Sequence, residues 1–369
     1  MVNSRERVLS SLERRGYDRV PVHHQAVPEI NRLLAERLGV SSSEDLLGAL
    51  GCDLRFVWPT YKGPELRRFP DGTYEGLWGE RYSDEHNNSG VFQDVVYLPH
   101  KAISTISDLD ELPNPSPDWF DYSDVRERCR SVREFAVAIN GPGTLDFLNG
   151  IGRTRGQEQV LVDVATEDPV FLELVERRFA FYYAVTERML QAADGLVDIV
   201  WAGEDLGSQQ GLLISPQSFD RLFADKYRAF FALAHQYGAR TALHCCGAIR
   251  PIIPRLIELG CDILDVVQVS ANGMDLAGLK RDFGDRLTFC GTMCVQTLLT
   301  DGTPDLIRRE VEARLELFRD GGLILGPTNT IELGTPIENI LAMYEAAGSL
   351  DCRRGGWQSG AESEAGPSQ

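Results

Sequence analysis

Short apolar runs alternate with helical patterns along the chain, and the alternation is regular from residue 135 onward. The apolar runs span residues 135–139, 197–201, 241–243, 263–267, 287–290 and 323–325. The helical patterns between them cover 157–163, 170–193, 216–236, 249–259, 276–283 and 304–319. Short buried strands separated by helices predict βαβ units, and therefore a parallel sheet.

Two earlier apolar segments, residues 20–22 and 53–57, bring the predicted strand count to eight. Eight strands with intervening helices in about 350 residues predict an α/β protein with a single (β/α)8 TIM barrel over residues 1–350. A doubly wound open sheet is the alternative. No G-x-G-x-x-G follows a predicted strand, so the sequence gives no support for dinucleotide binding.

Three segments add to the predicted barrel. Helical patterns at 4–15 and 28–38 lie at the N-terminal end. Residues 65–100 alternate aromatic and β-branched residues with Gly and Asp, which predicts a β-hairpin insertion. Residues 351–369 are rich in Gly, Ser and Glu, and we expect a disordered tail.

Charge and composition restrict the partners and the compartment. The 37 Lys and Arg against 55 Asp and Glu give a formal net charge of −18, which argues against nucleic acid and anionic membranes as partners. No apolar run reaches the roughly 18 residues of a membrane span, and the first residues lack the apolar core of a signal peptide. We therefore expect a cytoplasmic protein whose eight cysteines are thiols.

Polar and metal-binding residue types follow the predicted strands of the second half. They are Glu204 and Asp205, His244 and Cys246, Asp265 and Gln268, Cys290 and Cys294, and Asn329. In a (β/α)8 barrel the carboxyl ends of the strands meet at one face, where the active site lies. The sequence therefore predicts the functional site at this face.

His244 and Cys246 are the strongest metal candidates. In extended backbone, residues two apart point to the same side, so an imidazole nitrogen and a thiolate can form half of a zinc site. Cys290 is our first choice as third ligand, with Cys294 or Glu204 as alternatives. The alternative without metal is a buried histidine beside small packing thiols; Cys245 points the other way and is interpreted as a core residue.

Other residues at the strand ends suggest acid–base chemistry and substrate binding. Glu204 and Asp205 form a paired-carboxylate candidate for catalysis, with helix capping and solvation as the simpler alternative. We expect the substrate to contact residues after the first, fourth, sixth and last strands: His23, Gln209, Gln268 and Asn329. Arg153 and Arg155 could meet an anion, but a solvated loop is the expectation for them.

The chain resembles the uroporphyrinogen decarboxylase superfamily, in particular its methyltransferase-like branch. The likeness is strongest over about 195–345. The matching stretches include Ser4-Arg5-Glu6-Arg7-Val8, Asp18-Arg19-Val20-Pro21-Val22, Glu204-Asp205-Leu206-Gly207, His244-Cys245-Cys246-Gly247 and Thr335-Pro336-Ile337-Glu338-Asn339. The resemblance implies a (β/α)8 barrel, in agreement with the strand count.

Of the two activities found in the superfamily, the resemblance implies methyl transfer more than porphyrinogen decarboxylation. The decarboxylase grips substrate carboxylates with an Arg-Gln-Ala-Gly-Arg loop, whereas this chain has His23-His24-Gln25-Ala26-Val27, so porphyrinogen decarboxylation is disfavoured. The other branch transfers methyl groups between corrinoids, thiols and methylated donors, and its thiol-activating members bind zinc through an H-x-C pair and a distant Cys. His244 and Cys246 match the pair, but the distant Cys would fall near Asn329.

The sequence and the resemblance leave three alternative functions. The first is a zinc-dependent methyltransferase or demethylase acting on a small methylated donor or acceptor, with a corrinoid (methylcobalamin) presented by a partner protein. The second is a metal-free decarboxylase-type lyase on a small carboxylated substrate, with a basic pocket at Arg153 or Arg155. The third is a non-catalytic barrel that binds a tetrapyrrole or corrinoid. A homodimer is compatible with each of them.

Overall fold

A curled parallel sheet forms the centre of the protein. The computed structural model describes residues 2–112 and 114–350, so the predicted tail at 351–369 lies outside the described residues. The strands of the protein are β1 (Leu54–Val57), β2 (Thr60–Tyr61), β3 (Tyr74–Glu75), β4 (Arg81–Asn87), β5 (Gly90–Tyr97), β6 (Phe120–Asp121), β7 (Ala136–Ile139), β8 (Ile199–Gly203), β9 (Arg240–His244), β10 (Ile263–Asp265), β11 (Thr288–Met293) and β12 (Leu323–Pro327). Seven of them form the central sheet, in the order β1-β7-β8-β9-β10-β11-β12.

The segment predicted as the first strand, residues 20–22, occupies the eighth position of the barrel. Leu325 on β12 donates its amide to the carbonyl of Pro21, and Asp53, before β1, donates its amide to the carbonyl of Val22. The segment is a bridge rather than a full strand because Pro21 has no N–H and the Val22 N–H donates to the Asp53 carboxylate. The predicted barrel is thus confirmed, with an irregular eighth position.

Helices surround the sheet. They are α1 (Ser4–Leu12), α2 (Pro28–Leu38), α3 (Ser43–Leu50), α4 (Ile106–Asp110), α5 (Val125–Ser131), α6 (Phe147–Arg155), α7 (Gln157–Thr166), α8 (Pro169–Ala193), α9 (Pro216–Leu222), α10 (Ala224–Gln236), α11 (Ile253–Leu259), α12 (Leu276–Phe283), α13 (Leu298–Asp301), α14 (Pro304–Leu317) and α15 (Ile337–Ala346). Over the described part of the chain, no helix combines the length and apolar character needed to cross a membrane.

The helix α1 closes one end of the barrel. Val8 and Leu12 pack with the apolar side chains that fill the barrel interior, among them Ala138 and Ile199. The Ser11 hydroxyl donates to the carbonyl of Leu323, the first residue of β12. Since α1 covers the end where the strands begin, the opposite end, where the strands finish, is left for a functional site.

Two sequence predictions outside the sheet have different outcomes. The predicted β-hairpin insertion at 65–100 is confirmed as the antiparallel sheet of β3, β4 and β5. The solvated loop predicted around Arg153 and Arg155 is wrong, because both residues lie in the last turn of α6. Arg155 is buried, and its guanidinium donates to the Asp163 carboxylate at 2.5 Å.

Candidate functional site

The registers of three neighbouring strands place His244, Asp265 and Cys290 side by side at the open end of the barrel. Asp265 on β10 pairs with His244 on β9 and with Cys290 on β11. Paired residues on neighbouring strands point to the same face of a sheet, and all three side chains are buried. These three residues therefore form one row across the barrel mouth.

A first cluster, the outer group, consists of Asp205, His244 and Cys246, whose ligand-type atoms all lie within 4.8 Å of one another. His244 Nε2 lies 3.4 Å from Cys246 Sγ. The Cys246 amide donates to Asp205 Oδ1 at 3.1 Å, and Asn149 Nδ2 donates to Asp205 Oδ2 at 2.6 Å. The H-x-C pair thus converges as the sequence predicts, with Asp205 as its third member.

The Asp265 carboxylate sets the orientation of the His244 ring. His244 Nδ1 lies 2.9 Å from Asp265 Oδ2, and Trp201 Nε1 donates to the same oxygen at 3.0 Å. Burial acts against the charged imidazole, but the hydrogen bonds to Asp265 and Cys246 outweigh it and raise the pKa of His244 well above its usual value. Nε2 is therefore directed at Cys246, as in a histidine whose second nitrogen is held by a carboxylate.

A second cluster, the inner group, consists of His23, Asp265 and Cys290, again with ligand-type atoms within 4.8 Å of one another. Cys290, predicted as the third ligand beside His244 and Cys246, belongs to this group instead. The physical reason is the strand register, which sets Cys290 opposite Asp265 and one strand further from His244. Cys294 lies outside both groups, with its thiol 3.4 Å from the Thr297 hydroxyl.

Glu204 holds the start of α6. Its two carboxylate oxygens accept the amides of Phe147 and Leu148 at 2.9 and 3.0 Å, and the Tyr227 hydroxyl donates to Oε2 at 3.0 Å. Burial and the neighbouring Asp146 raise the pKa of Glu204 to about 8. Glu204, which the sequence predicts to be catalytic, therefore anchors a helix that borders the site; its catalytic role stays a prediction.

The raised pKa of Glu204 predicts a pH dependence of stability. The folded protein favours the neutral carboxyl, so this contribution to stability is present below pH 4.5 and is lost as the pH rises towards 8. We expect Tm to fall by roughly 3 °C or more between pH 5 and 8.5, and to fall less in Glu204→Gln. Calorimetry gives Tm against pH for wild type, for Glu204→Gln and for the control Glu312→Gln, which changes an exposed carboxylate. The same fall in Tm with pH in all three proteins would contradict the prediction.

The residues predicted to bind substrate lie around the same mouth. The Gly247 amide donates to Gln268 Oε1 at 2.9 Å, and Asn329 Nδ2 lies 3.7 Å from Cys246 Sγ. Gln209 is further out, with its amide 3.3 Å from Gln296 Oε1. Cys245 is fully buried in the core, and its sulfur accepts the Leu206 amide at 3.4 Å, as its interpretation as a core residue predicts.

Three cavities open at this end of the barrel. The outer cavity, about 340 Å³, contains the outer group together with Glu204, Arg153 and Asn329. The inner cavity, about 440 Å³, is lined by His23 and Asp265 and by the aromatic rings of Phe56, Trp58 and Trp201. A rim cavity of about 370 Å³ is lined by Gln268 and Asn329. Gln25 and Pro142 line both the outer and the inner cavity, so these two adjoin.

Sequence reasoning did not assign functions to several of these residues. The sequence places Asp265 at a strand end, but its link to His244 depends on the register of β9 and β10. Asn149 lies on a helix that the sequence did not predict. Trp58, directly after β1, and Trp201, on β8, line the inner cavity from separate parts of the chain. The available signal was that Asp265 is a charged residue within an apolar run, where burial requires a partner.

A family model and two solved structures are similar to this chain, and the first of these structures agrees with the barrel. The family model described as uroporphyrinogen decarboxylase (URO-D) matches residues 96–350. A methyltransferase from Methanosarcina mazei matches with a TM-score of 0.61 and 17% identity, over 94% of this chain and 99% of that one. A D-psicose 3-epimerase from Clostridium cellulolyticum matches with a TM-score of 0.38 and 12% identity, over 64% and 86% of the two chains. No curated protein sequence matches.

Proposed function

Because the chain belongs to the uroporphyrinogen decarboxylase family, we propose that it is a zinc-dependent methyltransferase or demethylase that works with a separate corrinoid protein. The single observation that carries the proposal is the convergence of Asp205, His244 and Cys246 at the barrel mouth. The Methanosarcina methyltransferase, a protein of the same fold, supports the methyl-transfer part of the proposal. The other substrate is a small methylated donor or acceptor.

The donor set of the outer group fits zinc. It offers one imidazole nitrogen, one thiolate and one carboxylate oxygen within 4.8 Å of one another, and Zn²⁺ binds all three types. Three protein ligands leave the fourth tetrahedral position for a substrate atom. The hydrogen bond from His244 to Asp265 supplies the outer support that zinc-bound histidines have. Zinc held there would lower the pKa of a bound thiol or polarise an ether oxygen.

The residues around the outer group would position the substrate. Asp205 is held through both oxygens, by Asn149 and by the Cys246 amide, so its place in the group is fixed before a ligand enters. Asn329 and Gln25 line the outer cavity and supply amide groups for the substrate. In the transfer, the bond between the methyl carbon and its donor atom breaks with the electron pair left on that atom. The acceptor atom forms the new bond to the methyl carbon with its own electron pair as the donor leaves, so no free methyl cation is formed.

Asn329 occupies the place where thiol-activating relatives are expected to carry a third ligand. Its Nδ2 lies 3.7 Å from Cys246 Sγ, close enough for a side chain at this position to approach the same ion. We expect Asn329→Cys to raise zinc affinity by roughly tenfold or more, because a second thiolate is a stronger ligand for zinc than an amide. Competition with a chromophoric chelator measures the affinity. An unchanged or lower affinity would place residue 329 outside the coordination sphere.

The metal-free lyase is the second candidate, and Arg153 favours it. This guanidinium lines the outer cavity and could bind a substrate carboxylate. The same cavity also holds the Asp205 carboxylate, and burial already raises the pKa of the neighbouring Asp146 and Glu204, so further negative charge from a substrate with several carboxylates is opposed there. Arg155, the other candidate cation, is paired with Asp163 and is not available. The balance of charge therefore favours the zinc methyltransferase.

Measuring methyl transfer to and from a free corrinoid tests the proposal. Purified full-length protein, loaded with zinc, is mixed with methylcobalamin and a panel of thiols, and with cob(I)alamin and a panel of methyl ethers and methylamines. The visible spectrum of the corrinoid reports transfer in either direction. Turnover that needs zinc and disappears in Cys246→Ala is the expected result. Release of CO₂ from carboxylated compounds by metal-free protein, without corrinoid turnover, would support the lyase instead.

A further inference from the structure

The inner group has the composition of a metal site in its own right. His23 follows residues 20–22, which occupy the eighth position of the barrel, Asp265 ends β10, and Cys290 lies within β11. One nitrogen, one carboxylate oxygen and one sulfur, all within 4.8 Å, are brought together from three separate parts of the chain. An imidazole, a carboxylate and a thiolate together suit a borderline divalent ion such as Zn²⁺.

The buried His23 ring has a nitrogen that is available to a ligand from outside the protein. Its Nε2 is buried and has no hydrogen-bond partner among the described residues. A buried polar atom without a hydrogen-bond partner destabilises the fold, and a ligand bound to this nitrogen would remove that cost. Gly326 on β12 makes the room: a Cβ there would stand 2.3 Å from His23 Nε2.

The Asp265 carboxylate is also held in place. Trp201 Nε1 and His244 Nδ1 both donate to its Oδ2, which leaves Oδ1 for an ion on the other side. Cys290 lies on the neighbouring strand in direct register with Asp265, and its side chain is fully buried. The two negative charges of a carboxylate and a thiolate would balance a divalent cation at this buried position.

We propose that His23, Asp265 and Cys290 bind a second zinc ion, distinct from the one at the outer group. Its fourth position faces the inner cavity of about 440 Å³, since His23 and Asp265 line that cavity. The aromatic side chains of Phe56, Trp58 and Trp201 surround the same space. The site thus has three protein ligands and access for a small molecule, which is the arrangement of a zinc that binds a ligand rather than one that only holds the fold.

Asp265 connects the two sites. It is a ligand of the inner ion and the hydrogen-bond partner of His244, which belongs to the outer group. The thiolates are not shared: Cys246 serves the outer group and Cys290 the inner group. The two sites can therefore be separated by replacing one cysteine at a time.

Cobalt titration tests the second site. Metal-free full-length protein is titrated with Co²⁺, whose thiolate-to-cobalt absorption reports each cysteine ligand, and with Zn²⁺ by calorimetry. Wild type is compared with Cys246→Ala, Cys290→Ala, the double variant, and Cys129→Ala, a buried thiol outside both groups. Circular dichroism checks that each variant is folded. We expect two equivalents in wild type and in Cys129→Ala, one in each single variant, and none in the double variant.

The outcomes separate the inner site from the outer one. A single equivalent in wild type that Cys290→Ala keeps and Cys246→Ala loses would overturn the inner site and leave the proposed function intact. A single equivalent lost only in Cys290→Ala would support the inner site and contradict the outer one.

Gly326→Ala adds a test that changes no ligand: we expect it to displace His23 and to lower cobalt affinity at the inner site by roughly tenfold. Unchanged cobalt affinity in Gly326→Ala would also contradict the proposal.

Discussion

Replacing Cys246 with alanine is expected to lower the rate of methyl transfer about a thousandfold. The thiol is the central member of the outer group, 3.4 Å from His244 Nε2 and next to Asp205. A bound zinc ion contributes several kcal/mol of charge stabilisation, and about 4 kcal/mol corresponds to a thousandfold in rate. The corrinoid absorbance assay gives kcat/KM for wild type and variant, and His244→Ala is expected to lose as much.

The control for that loss is Cys129→Ala. Cys129 is a fully buried thiol in α5, away from both metal-type groups, so its replacement tests for a general effect of removing a core thiol. We expect its rate to stay within about twofold of wild type. A Cys246→Ala enzyme with more than a tenth of the wild-type rate, assayed with excess zinc, would show that Cys246 is not in the catalytic machinery.

Asp53→Asn is expected to destabilise the fold by about 3 to 5 kcal/mol. The Asp53 carboxylate is fully buried, accepts from Arg7 and Arg19 at 2.7 and 2.8 Å, and also accepts the Val22 amide at 2.8 Å. Without the Asp53 charge, Arg19 loses the carboxylate with which it pairs and Arg7 keeps only the more exposed Asp18, so the positive charge there is poorly compensated. Because Val22 belongs to the segment that closes the barrel, we expect the variant to lower Tm by roughly 10 °C.

Asp18→Asn is the matched control. Asp18 pairs with the same Arg7, at 2.7 Å, but its side chain is 43% exposed. Exposed ion pairs contribute about 0 to 1 kcal/mol, so we expect a small change in the free energy of unfolding. Urea unfolding of the two variants and wild type gives the comparison. Equal losses in both variants would mean that burial at Asp53 does not decide the effect.

Much of the barrel could be predicted because its strands are buried on both faces and so read as short apolar runs. The eighth position was harder, since Pro21 lacks an N–H and Val22 bonds to a side chain. The helix α6 was missed for a related reason. Gly150 and Gly152 weaken its intrinsic preference, and its first turn is held by Glu204, more than 50 residues away. Such tertiary support leaves no local pattern.

The part of the site that depends on local spacing could also be predicted from the sequence. His244 and Cys246 are two residues apart, so their convergence follows from local geometry. Asp205 and Cys290 could not be assigned to a group in this way, because strand ends alone do not give the depth of a side chain in the barrel. For Cys290 that depth follows from the register of β10 with β9 and β11, and for Asp205, two residues after Gly203, from the register of β8 with β9. Register moved Cys290 to the inner group, beside His23.

The zinc content of Cys246→Ala relative to wild type tests the central claim most directly. Both proteins are purified without a histidine tag under reducing conditions, and zinc per chain is measured by mass spectrometry, with Cys129→Ala beside them. The account predicts one equivalent fewer in Cys246→Ala than in wild type, and no change in Cys129→Ala. The same zinc content in Cys246→Ala and wild type would contradict it.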